Sequence, residues 1–183
     1  MGGSHKNLIF VYGTLKRNHR NHFLLEDLIS TNDAVYIGQR TTRLQYPLVT
    51  GLYGIPYLIN KSGSGQKIRG ELYSVSKRGL VRLDELEGIK VNHYERLPIE
   101  VIEKKKIEVI EDEECEEESN GVVLAEAYFA HCSFGERLWE KKGKCGMCEF
   151  GENDGVLYVR VKDRPRFSSV LDEIESFVSS SND

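Results

Sequence analysis

Between Ile68 and Gly88 the hydrophobic period changes from two to about 3.6, and this change constrains the chain more than any other feature. Ile68-Arg69-Gly70-Glu71-Leu72-Tyr73-Ser74-Val75 alternates apolar with polar side chains and predicts a strand. Ser76 then reads as an N-cap, Lys77 to Glu87 as a helix, and Gly88 as its stop. Strand patterns also occupy Leu8–Val11, Val35–Leu44, Tyr94–Ile102, Ile107–Ile110, Val122–Ala130 and Val156–Val161. Pro47-Leu48-Val49 and Ile55–Ile59 are short apolar pieces, each holding a proline that favours edges and turns. Ser168–Val178 predicts an amphipathic helix, with Val170, Leu171, Ile174, Phe177 and Val178 on one stripe. Residues 131–155 are rich in Gly and Cys and show no clear period. Many strands joined by short turns, with few helices, predict an α+β fold built on a small mixed or antiparallel barrel rather than a βαβ sheet.

No repeat or linker divides the chain, so residues 1–183 are expected to form one domain. The net charge of −4 and the scattered Lys and Arg argue against a nucleic-acid partner. No apolar run reaches the length of a membrane span, and the N-terminus has no apolar core of a secretory signal. Lys6 stands where myristoylation wants Ser or Thr. These features predict a cytoplasmic protein with no membrane partner.

In a reducing compartment Cys115, Cys132, Cys145 and Cys148 are expected as thiols. Cys145-Gly-Met-Cys148 has the spacing of a redox pair or half a zinc site. Zinc would need His131 or Cys132 plus one more ligand, and incidental thiols in a Gly-rich loop remain the simplest reading. The expected metal is none. The block Glu111–Glu118 reads as a solvated, flexible acidic loop near 111–119. Ser62-Gly63-Ser64-Gly65 is a turn and lacks the spacing of a phosphate loop.

The helix over Lys77–Glu87 carries a carboxylate on its apolar face. Leu80, Leu83 and Glu87 stand at i, i+3 and i+7 and share that face, with Leu86 flanking it. Burial, the carbonyl end of the helix and the neighbouring Asp84 all disfavour a charged Glu87 and raise its pKa. A carboxyl tuned in this way can accept a proton and later return it. The alternative is a Glu87 that reaches the helix edge and stays in water. Asp84 and Glu85 read as ordinary polar-face residues.

The first strand ends in Tyr12-Gly13-Thr14, followed by a polar stretch with His19, Arg20 and His22, read as solvated or structural. Gly13 can adopt a positive φ and has no Cβ to block a ligand. Such a turn either aims backbone N–H groups at a ligand or simply connects, with Thr14 as a cap.

Taken together, Tyr12-Gly13-Thr14-Leu15-Lys16, Asn21-His22, Tyr46-Pro47-Leu48-Val49, Ile55-Pro56, Gly63-Ser64-Gly65, Gly70-Glu71-Leu72-Tyr73, Leu83-Asp84-Glu85-Leu86-Glu87-Gly88 and Tyr94-Glu95-Arg96 resemble the γ-glutamylcyclotransferase-like family. The nearer branch is that of the γ-glutamylamine cyclotransferases and the plant avirulence-induced proteins. The resemblance covers residues 8–130. It implies a small barrel of about six strands flanked by short helices. It also implies a substrate pocket formed by Tyr12, Gly13, Thr14 and Leu15, with Glu87 as acid/base and Tyr94 nearby. The implied reaction turns γ-glutamyl amines or γ-glutamyl dipeptides into 5-oxoproline and a free amine or amino acid. The substrate's own α-amine is the nucleophile, so no cofactor is called for. The implied partner is a small γ-glutamyl substrate, and the expected state is a monomer. Two other function classes stay open: a binding module that kept the pocket without turnover, and a thiol or zinc protein built on Cys145 and Cys148.

Overall fold

The computed structural model describes residues 7–103, 121–164 and 169–180. In chain order the elements are β1 (Asn7–Val11), α1 (His22–Ser30), β2 (Ala34–Thr42), β3 (Leu48–Thr50), β4 (Pro56–Leu58) and β5 (Arg69–Val75), then α2 (Lys77–Glu87), β6 (Tyr94–Glu103), β7 (Val122–Ala130), α3 (Gly135–Lys141), α4 (Glu152–Gly155) and α5 (Val170–Ser179). The expected strand at Ile107–Ile110 and the acidic block at Glu111–Glu118 lie outside the described residues.

The strands form one sheet in the order β1-β5-β2-β6-β7-β4-β3. Antiparallel ladders join β1 to β5, β5 to β2, β2 to β6 and β6 to β7. A parallel contact at Ile9 and Glu126 returns β7 to β1 and closes a five-stranded barrel. Beyond β7, the short strands β4 and β3 extend the sheet. The fold is therefore the expected α+β mixed barrel flanked by short helices.

Alternation along each strand divides the apolar side chains into two cores. Phe10, Leu72, Ile99, Val101, Ala125, Ala127 and Phe129 belong to one cluster, which fills the barrel. Their strand neighbours Ile9, Val11, Tyr73, Val75, Tyr128 and Ala130 belong to the other, together with Leu24, Leu25 and Leu28 of α1 and Leu80 and Leu83 of α2. The second cluster joins barrel to helices, and burying a side chain such as Leu83 contributes about 1.5–3 kcal/mol.

Helix α2 has the predicted bounds because both ends are fixed by side-chain chemistry. The Ser76 Oγ accepts from the Gly79 N–H at 3.0 Å and donates to Asp33 at 2.6 Å. Gly88 ends the helix in the left-handed region, φ 67°, a conformation that costs glycine least.

One expected strand is corrected. Val156–Val161 forms no strand. Turn hydrogen bonds from Val156 to Asn153 and from Tyr158 to Gly155 curl the backbone, and Val156, Leu157 and Val161 are exposed. The backbone returns to the barrel through the Val159 N–H, which donates to the Tyr53 carbonyl at 2.9 Å. Tyr53 and Gly54 both adopt left-handed backbone there, and a Cβ on Gly54 would come within 2.5 Å of the Leu157 backbone. The expected C-terminal helix is present as α5, with Ser169 as its cap.

Candidate active site

The turn after β1 is built from buried residues. Tyr12 donates to the Tyr128 carbonyl at 2.6 Å and accepts from the Leu58 N–H at 3.2 Å, which ties the end of β1 to β7 and β4. The Gly13 carbonyl accepts from the Lys16 N–H, and the Thr14 carbonyl from the Asn21 N–H. The Asn21 amide also donates to the Thr14 hydroxyl at 2.9 Å. With its carbonyls and hydroxyl held in this way, the turn leaves its donors free. The N–H groups of Gly13, Thr14 and Leu15 meet no acceptor among the described residues. Buried N–H groups are nearly always paired, so three adjoining free ones make an anion-binding arrangement.

Of the two reasons expected for Gly13, the lack of a Cβ holds and the positive φ does not. Gly13 is absent from the positive-φ positions of the backbone. A Cβ at this position would meet the Pro56 ring at 2.6 Å, so what the site exploits is the lack of a side chain.

Glu87 lies on the face of α2 shared with Leu80 and Leu83, and its side chain is half-buried and lines a cavity of about 300 Å³. The same cavity is lined by Tyr12, Gly13, Thr14, Leu15 and Tyr94, so all the predicted site residues meet there. Burial first, and the Asp84 charge second, push the Glu87 pKa from 4.5 up to about 8. No donor among the described residues bonds this carboxyl. Nearby tyrosine hydroxyls are committed elsewhere: Tyr12 to the Tyr128 carbonyl, Tyr94 to the Pro56 carbonyl at 2.7 Å, Tyr57 to His93 at 2.8 Å, and Tyr128 to Asp84 at 2.7 Å. Desolvation holds the hydroxyls of Tyr12 and Tyr94 well above the usual tyrosine range.

Asp84 is not the ordinary polar-face residue its position suggests. It is half-buried and ion-paired with Arg96 at 3.1 Å, and it accepts from Tyr128. It stands one turn before Glu87 on the same helix. Glu85 is exposed at the cavity rim.

Three cavity residues escape sequence reasoning. His93 is pulled down to about 4 by burial and by the Arg164 charge, so its ring is neutral at pH 7. Tyr158 accepts from the Asn21 amide at 3.2 Å and so connects with the Thr14 turn. Arg164 lines the cavity from the segment misread as a strand and its sequel. His19 and His22 are structural, as expected: His19 contacts the Arg17 and Phe150 carbonyls, and His22 the Leu15 carbonyl.

The ligand-type side chains gather around His131 and Cys132 and not around the Cys145–Cys148 pair. Glu95, His131 and Cys132 bring one ligand atom each within 4.8 Å of one another, and Cys145 and Cys148 join no such group among the described residues. A hydrogen bond to Glu95 raises the Cys132 thiol, which disfavours the thiolate a metal prefers. No helix among the described residues is long and apolar enough to cross a membrane.

Residues 9–141 match the family model described as gamma-glutamyl cyclotransferase, AIG2-like. The chain belongs to this family. It is 49% identical over 173 residues to the Arabidopsis thaliana protein named "Putative gamma-glutamylcyclotransferase At3g02910", covering 94% of this chain and 92% of that one. It is 36% identical over 131 residues to the Xenopus laevis gamma-glutamylaminecyclotransferase, covering 71% of this chain and 93% of the relative. The crystal structure of an AIG2-like protein from Mus musculus superposes with a TM-score of 0.53 at 31% identity, covering 69% of this chain and 78% of that one. Membership places the chain among the cyclotransferase enzymes. The family match ends at residue 141, so Tyr158, Val161 and Arg164 line the cavity from outside it.

Proposed function

We propose that the protein converts γ-glutamyl amines or γ-glutamyl dipeptides to 5-oxoproline and a free amine or amino acid, with Glu87 as the acid/base. One observation carries this reading: an unpartnered carboxyl with a pKa of about 8 shares a cavity with three unpartnered N–H groups.

The chemistry needs few parts. The α-ammonium of the substrate gives a proton to the Glu87 carboxylate. The freed amine attacks the γ-carbonyl carbon, a C–N bond forms, and the carbonyl oxygen takes up negative charge. The carbonyl then re-forms, the old C–N bond breaks, and the leaving nitrogen takes the proton from Glu87; the regenerated carboxylate accepts the second proton of the attacking nitrogen and passes it to the released amine, which departs as ammonium. Nucleophile and electrophile belong to one molecule, so the protein's main task is to hold the substrate bent. The N–H groups of Gly13, Thr14 and Leu15 would hold the α-carboxylate or the developing oxyanion. Tyr12 and Tyr94 wall the cavity. A carboxyl near pKa 8 suits both proton transfers at neutral pH.

The test is release of 5-oxoproline from a panel of γ-glutamyl dipeptides and γ-glutamyl alkylamines, run beside Glu87→Gln. The reading predicts turnover in the parent protein and its loss in the variant. Absence of 5-oxoproline from every substrate would overturn it.

A further inference from the structure

We infer that Arg164 is a specificity residue that selects leaving groups carrying their own carboxylate, so that γ-glutamyl amino acids are preferred over neutral γ-glutamyl amines. The inference rests on the cyclotransferase reading and goes on to name the substrate class.

Arg164 is the one permanent cation among the described residues lining the cavity. The protein holds it there by several contacts but does not neutralise it. Its Nε donates to the Val159 carbonyl at 2.9 Å. Its guanidinium carbon lies 5.3 Å from the Tyr53 ring centroid and 5.6 Å from that of Tyr158. Tyr53 takes a left-handed φ of 58°, which costs a bulky residue energy and persists only where the surroundings fix it. The Gly54 packing and the Val159 hydrogen bond supply that restraint, and they hold the aromatic ring near the guanidinium.

The two terminal nitrogens of Arg164 have no hydrogen-bond acceptor among the described residues, and no carboxylate there lies within ion-pairing distance. A guanidinium fixed through Nε and two rings, with its planar fork left open, matches a carboxylate in two-point geometry. With the turn N–H groups holding the α-carboxylate and Glu87 taking the ammonium proton, the γ-glutamyl head has its own partners. Among the described residues the cavity lining holds no other Arg or Lys, and His93 beside Arg164 is neutral at pH 7. The remaining anion on a γ-glutamyl amino acid is the carboxylate of its leaving group, and a γ-glutamyl alkylamine has none.

The experiment compares γ-glutamylalanine with its C-terminal amide, which differ in one charge at nearly constant shape. The full chain, Arg164→Gln and Arg164→Lys are assayed for kcat and KM by 5-oxoproline release. Binding of both compounds is measured by calorimetry in a Glu87→Gln background with and without Arg164→Gln. A charge-assisted hydrogen-bonded pair predicts a preference for the free acid of about 10- to 100-fold, expressed in KM. Arg164→Gln should erase that preference by weakening the acid alone, and Arg164→Lys should restore part of it. Equal use of acid and amide by the parent protein overturns the inference, whether or not any variant folds. So does an equal loss for both compounds in Arg164→Gln, which would assign Arg164 to the shared γ-glutamyl head or to wall packing. If neither these compounds nor any γ-glutamyl alkylamine yields 5-oxoproline the cyclotransferase reading fails, and the calorimetric acid-to-amide ratio still decides what Arg164 recognises.

Discussion

Glu87→Gln separates the catalytic role of the carboxyl from its cost to the fold. The carboxyl titrates near 8 in the folded protein against 4.5 when free. Below pH 4.5 both states hold the proton and the group contributes nothing to the pH dependence. Between 4.5 and 8 the folded state keeps a proton that the unfolded chain has released, so stability falls as pH rises, and above 8 the loss is complete. At about 1.36 kcal/mol per pH unit, the full interval corresponds to roughly 5 kcal/mol. Water in the open cavity screens this penalty, which leaves a measurable share of about 1–3 kcal/mol. Gln keeps the shape and removes the ionisation. The variant should therefore match the parent near pH 5 and exceed it near pH 9 by about 2–12 °C in Tm for a chain of this size. Turnover should fall by about 10²–10⁴-fold, and the rise of kcat/KM toward pH 8 should disappear with it. The assays are thermal melts at both pH values and 5-oxoproline release across the range. A variant within tenfold of the parent rate, or a stability difference that does not grow with pH, would refute the reasoning.

Gly13→Val should lower Tm as well as substrate affinity, because its side chain must displace the Pro56 ring that stands 2.6 Å from the Cβ position; melting curves and ligand titration read the two effects. Leu83→Ala removes a fully buried side chain from the second core and should cost about 2–5 kcal/mol in denaturant unfolding. Asp33 is held at a pKa of about 2, chiefly by Arg78 and then Ser76, against 3.8 when free, so its contribution is present above pH 4 and lost as pH falls toward 2. Asp33→Asn should flatten the acid limb of a stability-against-pH curve. Chelator treatment should leave 5-oxoproline release unchanged, whereas loss with EDTA and recovery with zinc would bring the Glu95–His131–Cys132 group into the mechanism.

Where local chemistry decides the structure, the sequence was readable. The ends of α2 were legible because Ser76 and Gly88 act within one turn of the residues they cap. The placement of Glu87 followed from the spacing of Leu80 and Leu83. Helix α1 was missed because Asn21, the residue before it, spends its side chain on Thr14 and Tyr158 and makes no side-chain cap. Val156–Val161 misled for the opposite reason. Its β-branched and aromatic residues fit a strand, but turn bonds to Asn153 and Gly155 decide the backbone. The roles of His93 and Arg164 had no local signal. Each depends on partners distant in the chain, Tyr57 for His93 and Tyr53 for the Arg164 segment.

The attachment of the Val159 segment at Tyr53 and Gly54 also fixes an order of events during synthesis. Every strand of the closed barrel ends by Ala130, so the barrel can pair before the cavity wall has left the ribosome. Tyr158, Val161 and Arg164 arrive roughly thirty residues later, a delay of seconds at ordinary elongation rates. The nascent protein thus passes through a stage that carries Glu87 and the free N–H groups without the wall that encloses them. A chain ending at Ala130 would recreate that stage, with every barrel strand present and the cleft open.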